Sequence, residues 1–301
     1  MSILIQAAPE KVHASVRDFK QWPAWSPWLI AEPDSALTFA DDGMSYAWDG
    51  KITGSGNMEV ANDDGPNAIH YKLTFLKPWK STSDVSFNFA ETNGGTEVTW
   101  TMNGSLPIFM FFMKKMMTAF IGMDYERGLM MLKQHIEGGK VLSRLDFPGV
   151  QSFPGYHYVG IRTTCSIESI GESMGRDFDK LKSWHEQSSA TAPAPPFSIY
   201  HEWKPVAGVA EYTVALPVES QPATLPDGMV HDSFPECTCY IVRHTGPYPQ
   251  LGNAWSAGMM HGRAKVFAQN RRVPPFETYA NDPAEVAETE LVTLVHFPVK
   301  D

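Results

Sequence analysis

The sequence predicts an α+β protein in two parts. An antiparallel sheet covered by a long C-terminal helix is followed by a pseudo-twofold repeat of strand–helix–strand–strand units. Three observations predict it. Between residues 44 and 102, apolar and polar residues alternate with the period of two that marks a half-buried strand, in runs cut by turn signals. An apolar, Met-rich stretch from Ile108 to Glu137 then supplies a helix long enough to cover that sheet. In the second half one phrase is written twice, as Pro195-Pro196-Phe197-Ser198-Ile199-Tyr200 and as Pro274-Pro275-Phe276-Glu277-Thr278-Tyr279. A repeat on this scale governs the fold before single residues are weighed.

The first part spans residues 1–140. Ser2 to Gln6 is a short strand, and Ala8-Pro9-Glu10 opens a helix with Pro in its first turn, where a missing N–H costs little. Val12, Val16 and Phe19 repeat at helical spacing, and Trp22 to Trp28 forms a second helical turn rich in Trp. Strands follow, separated by Asp41-Asp42-Gly43, Asp49-Gly50, Asp63-Asp64-Gly65 and Asn93-Gly94-Gly95. Met44, Tyr46 and Trp48 share a face, as do Tyr71, Leu73 and Phe75; Val85, Phe87 and Phe89; and Val98, Trp100 and Met102. Their alternates are mostly polar, so one face is wet and the other covered.

Residues 141–154, with Pro148, Gly149 and Pro154, read as an interdomain linker. The second part spans residues 155–301. Its first unit has a strand over Tyr156–Thr164, a helix over Ile167–Glu186, and two strands ending at Leu216-Pro217-Val218. The second has a strand over Cys239–Gly246, a helix over Pro249–Gln269, and two strands ending at Phe297-Pro298-Val299. The polar stretch Ser188–Pro196 is a loop inside the first unit.

Composition excludes several classes. The net charge is −10 and no Lys/Arg cluster interrupts it, so no nucleic-acid partner is expected. The apolar run from Leu106 to Met123 is broken by Pro107 and Lys114-Lys115, so no membrane span is expected either. The N-terminus lacks a basic region followed by a long apolar stretch, which argues against a signal peptide. The three cysteines show no disulfide or zinc spacing. Cys237 and Cys239, separated by one residue on a strand, are expected on opposite faces, as small thiols in a reducing cytoplasm. His201-Glu202 and His244 with Glu211 lack metal-ligand spacing, and no phosphate loop, GxGxxG or GxSxG occurs, so no metal or cofactor is expected.

The repeat carries an asymmetry. Where the first copy has Ser198, the second has Glu277. Side chains two apart on a strand share a face, so Glu277 lies beside Tyr279, as Ser198 lies beside Tyr200. A carboxylate among rings can attract a cation, or act as acid or base if burial raises its pKa. Tyr200, Trp203, Tyr248, Trp255 and Tyr279 are the candidate walls of that cleft. The blander reading leaves Glu277 on an edge strand facing water, and the rings in the core. In the first part, Tyr46, Trp48, Tyr71, Phe75, Phe87 and Trp100 either fill the core or line a pocket under the helix. Seven methionines, at 110, 113, 116, 117, 123, 130 and 131, would make that helix adaptable.

Ala8-Pro9-Glu10-Lys11-Val12, Asp18-Phe19 and the Trp22–Trp28 segment, with this order of elements, resemble the START-like helix-grip domains of the polyketide-cyclase (SRPBCC) superfamily. Gly155-Tyr-His-Tyr-Val-Gly-Ile-Arg-Thr163, Pro196-Phe-Ser-Ile-Tyr200, Arg243-His-Thr-Gly-Pro-Tyr248 and Pro275-Phe-Glu-Thr-Tyr279 resemble the GyrI-like effector-binding domain, the ligand-sensing module of many AraC- and MerR-type regulators. That resemblance implies a ligand cleft between the repeats, with an acidic residue at Glu277. Some stand-alone relatives hydrolyse reactive natural products, but Leu294 and His296 stand here where those often show an acid and a Tyr. Two functions stay open. One is a binding protein for amphipathic, aromatic or cationic small molecules, with a second hydrophobic pocket in the first domain; the other is a detoxifying hydrolase with Glu277 as its acid/base. Fold does not choose between them.

Overall fold

The structure is a computed structural model that describes residues 1–104, 113–188 and 190–300. It divides into two compact units, Met1–Arg144 and Leu145–Asp301. Each unit carries one antiparallel sheet, an α+β arrangement with few helices.

Unit 1 begins with strand β1 (Ser2–Ile5), helix α1 (Pro9–Arg17) and the short helix α2 (Trp22–Trp25). Six strands follow: β2 (Ala36–Phe39), β3 (Ser45–Gly50), β4 (Gly54–Asp63), β5 (Ala68–Lys77), β6 (Ser81–Thr92) and β7 (Gly95–Gly104). They form a meander, and β1 pairs with β7, giving the order β1-β7-β6-β5-β4-β3-β2. Helix α3 (Lys114–Gly138) closes the unit. Residues 108–112 of the expected helix, Met110 among them, lie outside the described residues. Gly139 ends α3 in the left-handed conformation at φ 72°, returning its N–H to His135 O, a common way for a helix to stop.

The alternation read from sequence places the rings as expected. Phe87 pairs with Trp100 and Tyr71 with Val85 across the sheet, so each pair shares a face. These rings are packed rather than bare. Trp100 stacks on Tyr125 of α3 at 4.0 Å and 9°, and on Phe87 at 4.7 Å. Gly128 permits the approach of α3, because a Cβ there would lie 2.7 Å from the Trp100 ring. Of the described methionines of the long helix, Met131 alone is fully buried; Met116 is exposed.

In unit 2 the chain forms β8 (Arg144–Phe153), β9 (Tyr156–Ser166), α4 (Ile170–Gln187), β10 (Phe197–Lys204), β11 (Val209–Pro217), β12 (Met229–Phe234), β13 (Cys237–Thr245), α5 (Gly252–Arg263), β14 (Phe276–Tyr279) and β15 (Val292–Pro298). The sheet order is β12-β9-β11-β10-β14-β15-β13-β8.

Four sequence readings need correction. Residues 144–153, inside the expected linker, form strand β8 at the sheet edge, beside β13. An edge strand tolerates Pro148, and Gly149 takes φ 83° there, so both breakers fit a strand. Strand β12 was not expected; it pairs along β9 from Met229↔Ile161 to Phe234↔Tyr156. Helix α5 stops at Arg263, six residues before the expected Gln269, because Lys265 turns left-handed at φ 63°. Cys237 and Cys239 share one face, since residues two apart on a pleat point the same way, and their sulfurs lie 3.5 Å apart.

Candidate functional site

β10 and β14 are the two central strands of the unit 2 sheet, and they pair antiparallel with Ser198 directly opposite Glu277. The pleat then sends Ser198, Tyr200, Glu277 and Tyr279 to one face. Phe197, Ile199 and Phe276 take the other face and bury in a core with Phe153, Phe234 and Ile241. The backbone pairing that joins the two halves of the sheet therefore also assembles the polar cluster.

Glu277 is 1% exposed. Its Oε2 accepts hydrogen bonds from Tyr200 Oη at 3.0 Å and Tyr279 Oη at 2.8 Å. Its Oε1 accepts a very short bond from Trp255 Nε1, on α5. Tyr279 Oη also lies 3.0 Å from Ser198 Oγ. All three donors are neutral. Burial raises the carboxyl pKa above its usual range, and the three hydrogen bonds only partly oppose this. Burial first, and then the Glu277 charge, also push the Tyr200 and Tyr279 hydroxyls well up, so both stay protonated donors.

The rings stand around the acid, half-buried where Glu277 is covered. Tyr200 and Trp255 meet edge to face at 4.8 Å, and Tyr248 meets Tyr279 at 5.8 Å. Five of the six expected residues, Glu277, Tyr279, Tyr200, Trp255 and Tyr248, thus form one cluster. Trp203 is different. A bulge between Tyr200 and Glu202 turns the strand, and Trp203, 39% exposed, meets the cluster at its margin, through Tyr200 at 6.4 Å.

Helix α4 contributes two residues that the sequence reading missed. Met174 Sδ is 3.7 Å from Tyr200 Oη, and Phe178 meets Tyr279 at 5.3 Å. Leu294 and His296 point away from Glu277, whose partner on β15 is Val295. His296 stacks on Phe276 at 4.3 Å on the opposite face.

A separate shallow cleft of about 270 Å³, lined by Val150, Thr238, Val266, Phe267, Ala268, Val299 and Lys300, contains none of these residues. In unit 1, Tyr46, Trp48, Tyr71, Phe87 and Trp100 are buried in the ring core, with Phe75 half-buried against it. Tyr71 Oη donates to Val16 O at 2.9 Å. The indole N–H groups of Trp25 and Trp100 are buried with no acceptor among the described residues. Among the described residues, no helix is long and apolar enough to cross a membrane.

Comparison with known proteins agrees with this division. A family model described as a GyrI-like small molecule binding domain matches residues 148–300. A second, described as polyketide cyclase / dehydrase and lipid transport, matches residues 1–137. Similar solved structures include EcmrR in a DNA complex (17% identity, 64% of this chain and 68% of that chain, TM-score 0.45). The EcmrR C-terminal domain is similar too (20% identity, 54% and 99%, TM-score 0.42). A third is SAV2435 bound to tetraphenylphosphonium (14% identity, 52% and 94%, TM-score 0.42). No curated protein matches the chain.

Proposed function

The chain belongs to the GyrI-like family of small-molecule-binding domains through residues 148–300, and we propose that its ligands are aromatic or amphipathic cations held against Glu277, between two strand–helix–strand–strand repeats related by a pseudo-twofold axis. The observation that carries this reading is a carboxyl 1% exposed whose hydrogen-bond donors are all neutral. A buried anion without a counter-charge is costly. An aromatic cation supplies the missing charge and stacks on Tyr200, Trp255, Tyr248 and Tyr279. Met174 and Phe178 give the wall an adaptable, apolar side, suited to ligands of varied shape.

The strand order supports the pseudo-twofold reading. β9-β11-β10 on one side of the central pair answers β13-β15-β14 on the other. Tyr200 and Tyr279 then occupy equivalent positions and converge on one acid. Hydrolysis with Glu277 as acid/base is the alternative; the raised pKa suits it, but both carboxylate oxygens are already engaged. A second, hydrophobic pocket in unit 1 is favoured by one observation, the unpartnered indole N–H groups of Trp25 and Trp100, which an acceptor on a ligand would satisfy.

The test titrates tetraphenylphosphonium and its neutral analogue triphenylphosphine oxide into the wild type and Glu277→Gln, by calorimetry. Loss of a charge-assisted contact costs about 1.5–3 kcal/mol, roughly 10- to 150-fold in Kd. That loss is expected for the cation alone. Equal losses for both ligands, or none, reject the charge reading.

A further inference from the structure

Cys237 and Cys239 lie outside the Glu277 cluster, and nothing above uses them. Both sit on β13 and face the same side of the sheet. Their sulfurs are 3.5 Å apart, close to van der Waals contact. The two environments differ. Cys239 is fully buried, in the core with Phe276, Phe153 and Ile241, whereas Cys237 is half-buried at the first position of the strand. The register of β13 with β15 begins at Cys239↔Pro298, so Cys237 stands outside that ladder. The third cysteine, Cys165, lies at the far end of β9 and has neither sulfur in contact.

We propose that Cys237 and Cys239 are an oxidisable dithiol, a modification site that a hydroperoxide converts to an intrachain disulfide. Cys237, the more accessible sulfur, is the attacking thiolate. It takes the terminal oxygen of the hydroperoxide, the O–O bond breaks, and the alcohol or water leaves after taking a proton. The product is a sulfenic acid on Cys237. The Cys239 sulfur then attacks that sulfur, the S–O bond breaks, and hydroxide leaves as water with the Cys239 thiol proton. Two electrons pass from the two sulfurs to the O–O bond, and one water forms in the second step.

Three physical arguments support this assignment. The sulfurs must close from 3.5 Å to about 2.05 Å, and the strand-end position of Cys237 gives it room to move. The S–H···S contact between the thiols lowers the Cys237 pKa and raises that of Cys239, which divides them into an attacking and a resolving partner. A resolving thiol already in contact captures the sulfenic acid before further oxidation. The inference does not depend on the ligand of Glu277.

The experiment uses full-length reduced protein treated with a few equivalents of hydrogen peroxide, then alkylated under denaturing conditions and mapped by mass spectrometry. The expected product has lost two hydrogens, carries one alkyl group on Cys165 and contains a linked peptide spanning Cys237 and Cys239; dithiothreitol restores three alkylation sites. In Cys239→Ser, Cys237 is expected to accumulate as a sulfenic acid that dimedone traps, at least about tenfold faster than Cys165. In Cys237→Ser no linkage forms and Cys239 stays unoxidised. Wild-type protein that gains oxygen without linkage, links Cys165 instead, or reacts no faster at Cys237 than at Cys165 overturns the proposal. Circular dichroism of each variant confirms that the sheet is retained.

Discussion

Ser198 lies directly across from Glu277 in the antiparallel pairing of β10 and β14. One hydroxyl, Tyr279 Oη, is within hydrogen-bond reach of both side chains, at 3.0 Å and 2.8 Å. A small hydroxyl and a carboxyl thus face each other across the two central strands of the sheet. The small Ser198 leaves the space into which Glu277 and two tyrosines project. A second carboxylate at position 198 would place two like charges across one ladder rung, which destabilises a sheet. The pairing of Ser198 with Glu277 is in this sense a steric and electrostatic requirement of the site.

Binding of a permanent cation should depend on pH through Glu277. Burial raises its folded pKa above the unfolded value, so the neutral acid persists to a higher pH than usual. The groups packed around it, Tyr200, Tyr279, Trp255, Ser198, Met174 and Tyr248, are neutral, and Asp282 beyond Tyr248 is acidic. A cation that binds the carboxylate must displace that proton. Tetraphenylphosphonium affinity is therefore expected to rise with pH across the acidic range, toward a plateau above the Glu277 pKa. The Glu277→Gln profile should be flat. Calorimetry in two buffers of different ionisation enthalpy reads the proton release directly, and a wild-type profile as flat as the variant's rejects the coupling.

Stability should change with pH through the buried histidines. Burial depresses His296 to about 3 and His244 to about 4, both below the unfolded value of about 6.5. The unfolded chain thus binds more protons between those values, and stability falls as pH drops below about 6.5. Each histidine contributes a slope of at most about 1.4 kcal/mol per pH unit in its window. His296→Phe keeps a ring on Phe276 and should remove about half of the combined slope. Urea melts between pH 4 and 7 measure it; an unchanged slope in the variant assigns acid sensitivity elsewhere.

The α+β class and both family resemblances were legible because alternation and the double phrase are local patterns. Glu277, Tyr279 and Tyr200 were legible for the same reason, since strand pleating alone sets which side chains share a face. Met174 and Phe178 were not, because contacts from a helix to a sheet depend on how the helix packs, which no short-range pattern fixes. Trp203, three residues beyond Tyr200, would face the other side on a regular pleat; a one-residue bulge brings it round to the Tyr200 side, nearer the strand end and 39% exposed, a placement that alternation alone does not fix. Residues 144–153 were misread because Pro and Gly signal breaks on average, and an edge strand is the place where that signal fails.

Limited proteolysis should show where the units separate. Gly139, which caps α3, and Lys140 after it are exposed, whereas Leu145–Phe153 belongs to an edge strand. Brief trypsin treatment is expected to cut at Lys140 or Arg144 and leave a C-terminal fragment that retains β8. A first stable C-terminal fragment beginning at or after Tyr156 would show that β8 does not belong to the folded unit, and would restore the linker reading.

The site also depends on a core contact behind it. Gly258 on α5 lies against Phe297, and an added Cβ would sit 2.0 Å from the ring. Phe297 in turn meets Trp255 edge to face at 5.4 Å, and Trp255 donates to Glu277. In Gly258→Ala, either α5 moves out or Phe297 leaves its rotamer, and both displace Trp255. Overpacking of this kind costs about 1–3 kcal/mol. The variant should unfold at lower urea and also bind tetraphenylphosphonium more weakly, under conditions where it remains folded. Met259→Ala is the control, on the same helix but exposed, and should leave binding unchanged. If Gly258→Ala lost stability while keeping full affinity, Trp255 would be positioned independently of the Phe297 contact, and its bond to Glu277 would not depend on how closely α5 packs.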